Sequence, residues 1–176
     1  SNCKIIACYF GDRKEYPSNE KNTIDMLKDV VKNEQTLNPG VSQLDTILVN
    51  HDCGKENGNE YLNSIDGLET YSGKMKVIHR PWNNGIGASF GSFNYAFEKF
   101  KDNYDYWFFQ EDDYKVIYDN YYSEGIEMLK ENKHLGFVGF DRGSNTDNAY
   151  GLSGFINYFL HDFLNDVSKN IADKYI

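Results

Sequence analysis

The sequence predicts an α/β domain built on a mostly parallel sheet. Two observations carry the prediction. Short apolar, β-rich runs alternate with amphipathic helical segments from end to end, and no linker, repeat or low-complexity stretch interrupts them. At 176 residues the chain fits one domain with room for a sizeable core.

The elements follow in order. "CKIIACYF" (Cys3 to Phe10) is a buried strand, ended by "GDRKEYPSNEKN". Thr23 is a candidate cap for a helix to about Asn33, with Ile24, Leu27, Val30 and Val31 on one face. After the turn "NPG", "QLDTILVN" (Gln43 to Asn50) is a second strand, and "HDCGKENGNE" reads as a polar loop. "KMKVIH" (Lys74 to His79) is a third strand leading into "RPWNNGIG". Phe90, Phe93, Ala96, Phe97 and Phe100 then set a helix over Ala88 to Phe100. "YWFFQ" (Tyr106 to Gln110) is the fourth strand. A helix around Tyr122 to Asn132 and a strand "HLGFVGF" (His134 to Phe140) follow, and "LSGFINYFLHDFLNDVSKNI" reads as a loop entering a helix. In open parallel sheets ligands bind beyond the carboxyl ends of the strands. "NHDCG", "RPWNNGIG" and "QEDD" all lie at that edge, so the three most polar junctions converge on one crevice.

Composition narrows the ligand. A net charge of −9 argues against a nucleic-acid partner reached through phosphates, and an anionic ligand needs a cation to mediate. No apolar run approaches the ~20 residues of a membrane-spanning helix. Cys3, Cys8 and Cys53 cannot all pair and have no zinc-site spacing, so reduced thiols and a cytoplasmic location are expected. The absence of an Asn-x-Ser/Thr acceptor agrees.

Glu111, Asp112 and Asp113 follow the aromatic strand directly. Two unit charges ~4 Å apart at an effective dielectric of ~20 repel by about 4 kcal/mol, so clustered carboxylates in a crevice call for a cation. Oxygen ligands suit Mg²⁺ or Mn²⁺, bound by one or two carboxylates plus substrate phosphates. The competing reading is a solvated acidic turn.

In order, Tyr9, Asp52 with Gly54, Arg80, Asn84 with Gly85 and Gly87, Asn94, and Glu111-Asp112-Asp113 make a pattern. It resembles the nucleotide-sugar-binding half of family 2-like glycosyltransferases with the GT-A fold, in the Glu-Asp-Asp variant of their DxD motif. The resemblance covers roughly residues 3 to 140. It implies a single domain over 1–176, with a nucleotide-sugar-binding half to about 113 and a short acceptor-side half from about 114, compact or truncated. It also implies a metal-dependent, inverting transferase that moves a sugar from a nucleoside-diphosphate donor, UDP-linked, to a glycan or other hydroxyl acceptor. Carried over by position, Asp113 would bind the metal, and Asp112 would share it or reach the ribose. Glu111 would orient the others, Asp52 and Tyr9 would line the base pocket, Arg80 would meet a phosphate or the base, and Asn84 and Gly85 would wall the nucleotide.

Each has a rival reading: Tyr9 as a core aromatic, Asp52 as a turn cap, Arg80 as a surface charge, and the glycines as an ordinary turn. The base is where the chain departs from the family. "GLSGF" (Gly151 to Phe155) looks like the Gly-rich segment that precedes it, and Asp141 is the first candidate by position, with Asp147, Asp162 and Asp166 beyond. Two other functions remain in view. One is a binding domain without turnover. The other is a sugar nucleotidyltransferase, which wants a Gly-rich basic loop after the first strand that "YFGDRKEYP" supplies only poorly.

Overall fold

The computed structural model describes residues 1–11, 20–141 and 150–156, with residues 137, 139–141 and 150–156 described by their backbone. The order is β1 (Asn2–Cys8), α1 (Glu20–Thr36), β2 (Asp45–Asp52), α2 (Glu56–Ile65), β3 (Met75–Pro81), α3 (Ala88–Phe100), β4 (Tyr106–Glu111), α4 (Tyr121–Glu131), β5 (Phe137–Asp141) and β6 (Tyr150–Ile156). The strands form one sheet in the order β3-β2-β1-β4-β6-β5. β3, β2, β1 and β4 are mutually parallel, while β6 runs antiparallel to both β4 and β5. The expected α/β architecture with a mostly parallel, helix-flanked sheet is what is observed. The chain builds outward from β1 to β3 on one side and then crosses to β4 on the other. That reversal creates the crevice typical of doubly wound sheets.

Strand alternation sorts the core onto two faces. Cys3, Ile5, Ala7, Ile47, Val49, Trp107 and Phe109 pack against Phe93, Ala96 and Phe97 of α3. Ile6, Cys8, Leu48 and Met75 meet Leu27, Val30 and Val31 of α1 and Leu62 and Ile65 of α2. Beside them, Phe108 packs under Tyr121, Tyr122, Ile126 and Leu129 of α4. Lys4 lies on this second face, fully buried. Its ammonium pairs with Glu34 of α1 and sits 4.9 Å from the Phe108 ring and 4.5 Å from the Tyr121 ring. Thr46 Oγ1 donates to the other Glu34 oxygen.

Four expectations change. α1 begins at Glu20, three residues ahead of Thr23, whose side chain is buried within the helix instead of capping it. The supposed loop after β2 contains α2, held by burial of Gly58, Leu62 and Ile65. β3 extends through Arg80 and Pro81, two residues beyond the expected strand end at His79. The Gly-rich "GLSGF" belongs to β6, where ladder bonds to β4 and β5 replace the expected loop. The helix expected after it, with Asp162 and Asp166, lies outside the described residues, as does Asp147.

Candidate functional site

The two-residue period that builds the α3 face continues past the core into a cleft. Ile5 and Ala7 are followed on that face by Tyr9, Ile47 and Val49 by His51, and Trp107 and Phe109 by Glu111. Tyr9, His51 and Glu111 line a cleft of about 350 Å³ together with Gly85, Ala88, Ser89 and Ser92. It opens at the carboxyl ends of β1, β2 and β4 and at the start of α3, which spans the switch point of the sheet.

The three carboxylates have separate environments. Glu111 ends β4, and its Oε1 accepts from Ser89 Oγ at 2.6 Å, so it is oriented across the cleft toward α3. Asp112 is almost wholly buried, and its Oδ2 accepts the Tyr9 amide at 2.9 Å, tying the end of β1 to the end of β4. Asp113 is exposed at the turn that follows. Asp112's charge and burial together raise the pKa of the neighbouring Cys8 thiol well above its ordinary value, burial being the larger cause.

Asp52 ends β2 and closes its own turn. Oδ1 accepts from the Gly54 amide at 2.9 Å and from Asn59 Nδ2 at 3.1 Å, and these bonds hold its carboxyl below the usual range. Arg80 is buried, not a surface charge, and its fork is committed to the protein. Nη2 donates to the Ile86 carbonyl, and Nη1 lies 3.1 Å from both the Ala88 carbonyl and Ser92 Oγ. The loop it braces is strained, with positive φ at Asn84 (60°), Gly85 (77°), Gly87 (82°) and Ala88 (43°). Asn84 is exposed, while Gly85 lines the cleft. α3 starts from that loop without a side-chain cap. The Ala88 amide donates back to the Gly85 carbonyl and the Gly91 amide to that of Gly87, so the Ser89 and Phe90 amides are the helix-start donors that remain for an anion.

His51 was not among the expected site residues, although strand alternation alone selects it over Asp52. Its Nε2 lies 2.9 Å from Asn83 Oδ1, an acceptor, so Nε2 carries the proton, and Nδ1 faces Arg80 Nη1 at 3.5 Å. Burial first, and then the Arg80 charge, push the imidazole pKa down and keep the ring neutral. Tyr9 and His51 both meet Trp82, another residue missed from sequence. Asn94 on α3 keeps a buried Oδ1 with no protein partner among the described residues. Asp141 ends β5, which runs parallel to β4, so its backbone lies at the same edge of the sheet as Glu111.

Comparison with known proteins bears on this arrangement. No protein-family model matches the chain, and no curated protein matches it. Among solved structures, CMP:2-keto-3-deoxy-manno-octonic acid synthetase complexed with CTP is similar over 96% of this chain and 78% of its own, with a TM-score of 0.57 and 12% identity. The 4-diphosphocytidyl-2C-methyl-D-erythritol synthase from Anaerococcus prevotii DSM 20548 is similar over 94% and 74%, with a TM-score of 0.52 and 12% identity. Rv0371c from Mycobacterium tuberculosis H37Rv covers 97% and 81% at a TM-score of 0.50 and 10% identity. What is shared is the fold. It is the Rossmann-like layered sheet that the resemblance implied, and at such identities it carries no family membership. The two synthases are nucleotide-handling enzymes by name, not glycosyltransferases. Among the described residues no helix is long and apolar enough to cross a membrane.

Proposed function

We propose that the chain is a transferase that binds a nucleotide in the cleft and joins it to, or takes it from, a sugar. The observation that carries the reading is Glu111, oriented across the cleft at the switch point onto the uncapped start of α3. A nucleotide seated there meets hydrogen-bond donors for its phosphates at α3 and the strained loop. It meets oxygen ligands for a phosphate-bound cation on the β4 side.

The donor set fits a divalent ion of that kind. No cluster of three or more His, Cys, Asp or Glu forms among the described residues. Mg²⁺ needs none when one or two carboxylates and the substrate phosphates complete its shell. Asp113 and Glu111 would hold Mg²⁺ or Mn²⁺, and Asp112 has a supporting part, fixing the Tyr9 backbone from beneath. Bound, the ion would neutralise phosphate charge in an otherwise acidic cleft.

Sugar nucleotidyl transfer is the reaction the fold comparisons favour. An oxygen of the sugar substrate attacks the α-phosphorus of a nucleoside triphosphate and pyrophosphate leaves. The Ser89 and Phe90 amides at the start of α3 hold the phosphates in line, the Ser89 hydroxyl orients Glu111, and Tyr9 and His51 exclude water from one wall. Glycosyl transfer is the second reading, favoured by the acidic triplet after β4 and by Asp141 at the same edge. There an acceptor hydroxyl loses its proton to a carboxylate and attacks the anomeric carbon, and a nucleoside diphosphate leaves.

Phosphorus NMR of the products separates them. With Mg²⁺, nucleoside triphosphates and sugars or sugar phosphates, the first reading predicts pyrophosphate and a sugar nucleotide. With UDP- or GDP-sugars and a hydroxyl acceptor, the second predicts nucleoside diphosphate without pyrophosphate. Neither product over a full panel, from protein that is folded by circular dichroism, overturns the transferase reading.

A further inference from the structure

We propose that Trp82 is the ring-stacking platform of this cleft and that it takes the nucleobase of the ligand, an inference that rests on the nucleotide reading above. The chain has two tryptophans. Trp107 is fully buried, edge-on to Phe97 at 5.0 Å and to Tyr104 at 5.4 Å, and is core. Trp82 is 42% exposed, immediately after β3. Its ring lies parallel to Tyr9, with centroids 5.7 Å apart and planes 9° apart, and against His51 at 4.8 Å and 46°. Both of those rings line the cleft.

A lone exposed aromatic needs no explanation. This one is backed by two rings that are themselves held in place. Asp112 fixes the Tyr9 backbone, and Asn83 and Arg80 fix the His51 ring. The same Asn83 and Arg80 brace the loop that follows the indole, both reaching the Ile86 carbonyl, and a β-carbon on Gly85 of that loop would lie 3.7 Å from the indole edge. The fold therefore stiffens a flat apolar surface against two cleft-lining rings without covering it. The occupant follows from what lies on either side. The phosphate-side features, Glu111, Ser89 and the start of α3, take the charged end of a nucleotide. The other end of such a ligand is a flat, uncharged ring, which an acidic protein can accept on an aromatic face without a Coulomb cost. The 5.7 Å spacing leaves no room for a ring between Tyr9 and Trp82, so the base lies on the open face of the indole.

Tryptophan emission and its quenching by acrylamide test this, with binding followed in parallel by calorimetry. CTP, UTP, UDP and GDP with Mg²⁺ are compared with Mg²⁺–pyrophosphate, which has no base. The expected result is that base-bearing ligands change the emission and shield it from acrylamide while pyrophosphate binds without doing so. Trp82→Phe keeps nucleotide affinity, and Trp82→Ala weakens it by about tenfold or more with pyrophosphate affinity unchanged. Nucleotide binding that leaves Trp82 emission and quenching unaltered, or that survives Trp82→Ala at full strength, overturns the platform and leaves the nucleotide reading standing. No nucleotide binding by the folded wild-type protein overturns both. If Trp82→Ala fails to fold, the emission and quenching comparison decides alone.

Discussion

The Arg80 guanidinium packs against α3 at the one place where that helix has no side chain to meet it. A β-carbon on Gly91 would sit 2.4 Å from Arg80 Nη2 and 2.8 Å from Cζ. The end of an arginine is normally free to move aside, but here its donors are fixed on Ile86, Ala88 and Ser92. Gly91→Ala is therefore expected to destabilise the fold by about 1–3 kcal/mol through overpacking. This outweighs the ~1 kcal/mol that alanine gains over glycine in a helix. Arg80→Met alone removes the donors to Ser92 Oγ and the Ala88 carbonyl and leaves the Ile86 carbonyl to Asn83, at about 1–3 kcal/mol. In the Arg80→Met background Gly91→Ala should become neutral or stabilising. Urea unfolding of the four proteins measures the coupling, and strict additivity would show that the contact constrains nothing. Asp52 and Asp112 follow the same logic. Both are carboxylates at strand ends that hold backbone amides, and Glu111 and His51, one residue before them, are the groups turned to the cleft.

At the scale of elements, burial on both faces explains what was legible. β1, β2 and β4 read as unbroken apolar runs because each is covered on both sides. α2 did not, because "ENGNEYLNSI" is rich in poor helix formers and owes its helix to packing, with Gly58 lying directly under the Phe10 ring. β6 was hidden by Gly151, Ser153 and Gly154, which signal a loop to any local reading. Only its pairing with β4 and β5 makes it a strand. The cleft was partly readable: Tyr9, Gly85 and Glu111, singled out from the sequence as ligand-binding residues, are among those that line it, and period-two alternation would also have found His51. Trp82 gave no local signal, since its neighbours come from two other strand ends. The β1–α1 junction carries a further prediction. Lys4 is buried with Glu34, and burial lowers its pKa against the opposing pull of that carboxylate. Lys4→Met strands Glu34 and should lose about 3–5 kcal/mol, whereas Lys4→Met with Glu34→Leu should recover most of it. Denaturant midpoints for the two variants decide. Equal losses would mean that the pair itself is what stabilises the junction.

For the whole molecule, the buried acids set the response to alkali. Burial raises Cys3 and Cys8 well above the ordinary thiol value of 9.0, and Tyr121 and Tyr122 well above the phenol value of 10.0. Above about pH 9 the unfolded chain therefore releases protons that the folded chain retains, so stability falls as pH rises. Lys4 acts in the opposite sense, because its folded-state value lies below 10.5, but among the described residues the raised thiols and phenols, with Cys53, Tyr61, Tyr104 and Tyr118 raised as well, outnumber it. Stability measured from pH 8 to 11 should decline from near pH 9, and a flat or rising profile would contradict this burial pattern.

The central claim is that the cleft at the switch point seats a nucleotide through a cation held on the β4 side. Calorimetric titration of CTP and UDP with and without Mg²⁺, into the wild-type protein and into Asp113→Asn and Glu111→Gln, tests it most directly. The account predicts binding that requires the metal and that weakens about ten- to a hundredfold in each variant. Nucleotide affinity indifferent to the metal and to both substitutions would contradict it.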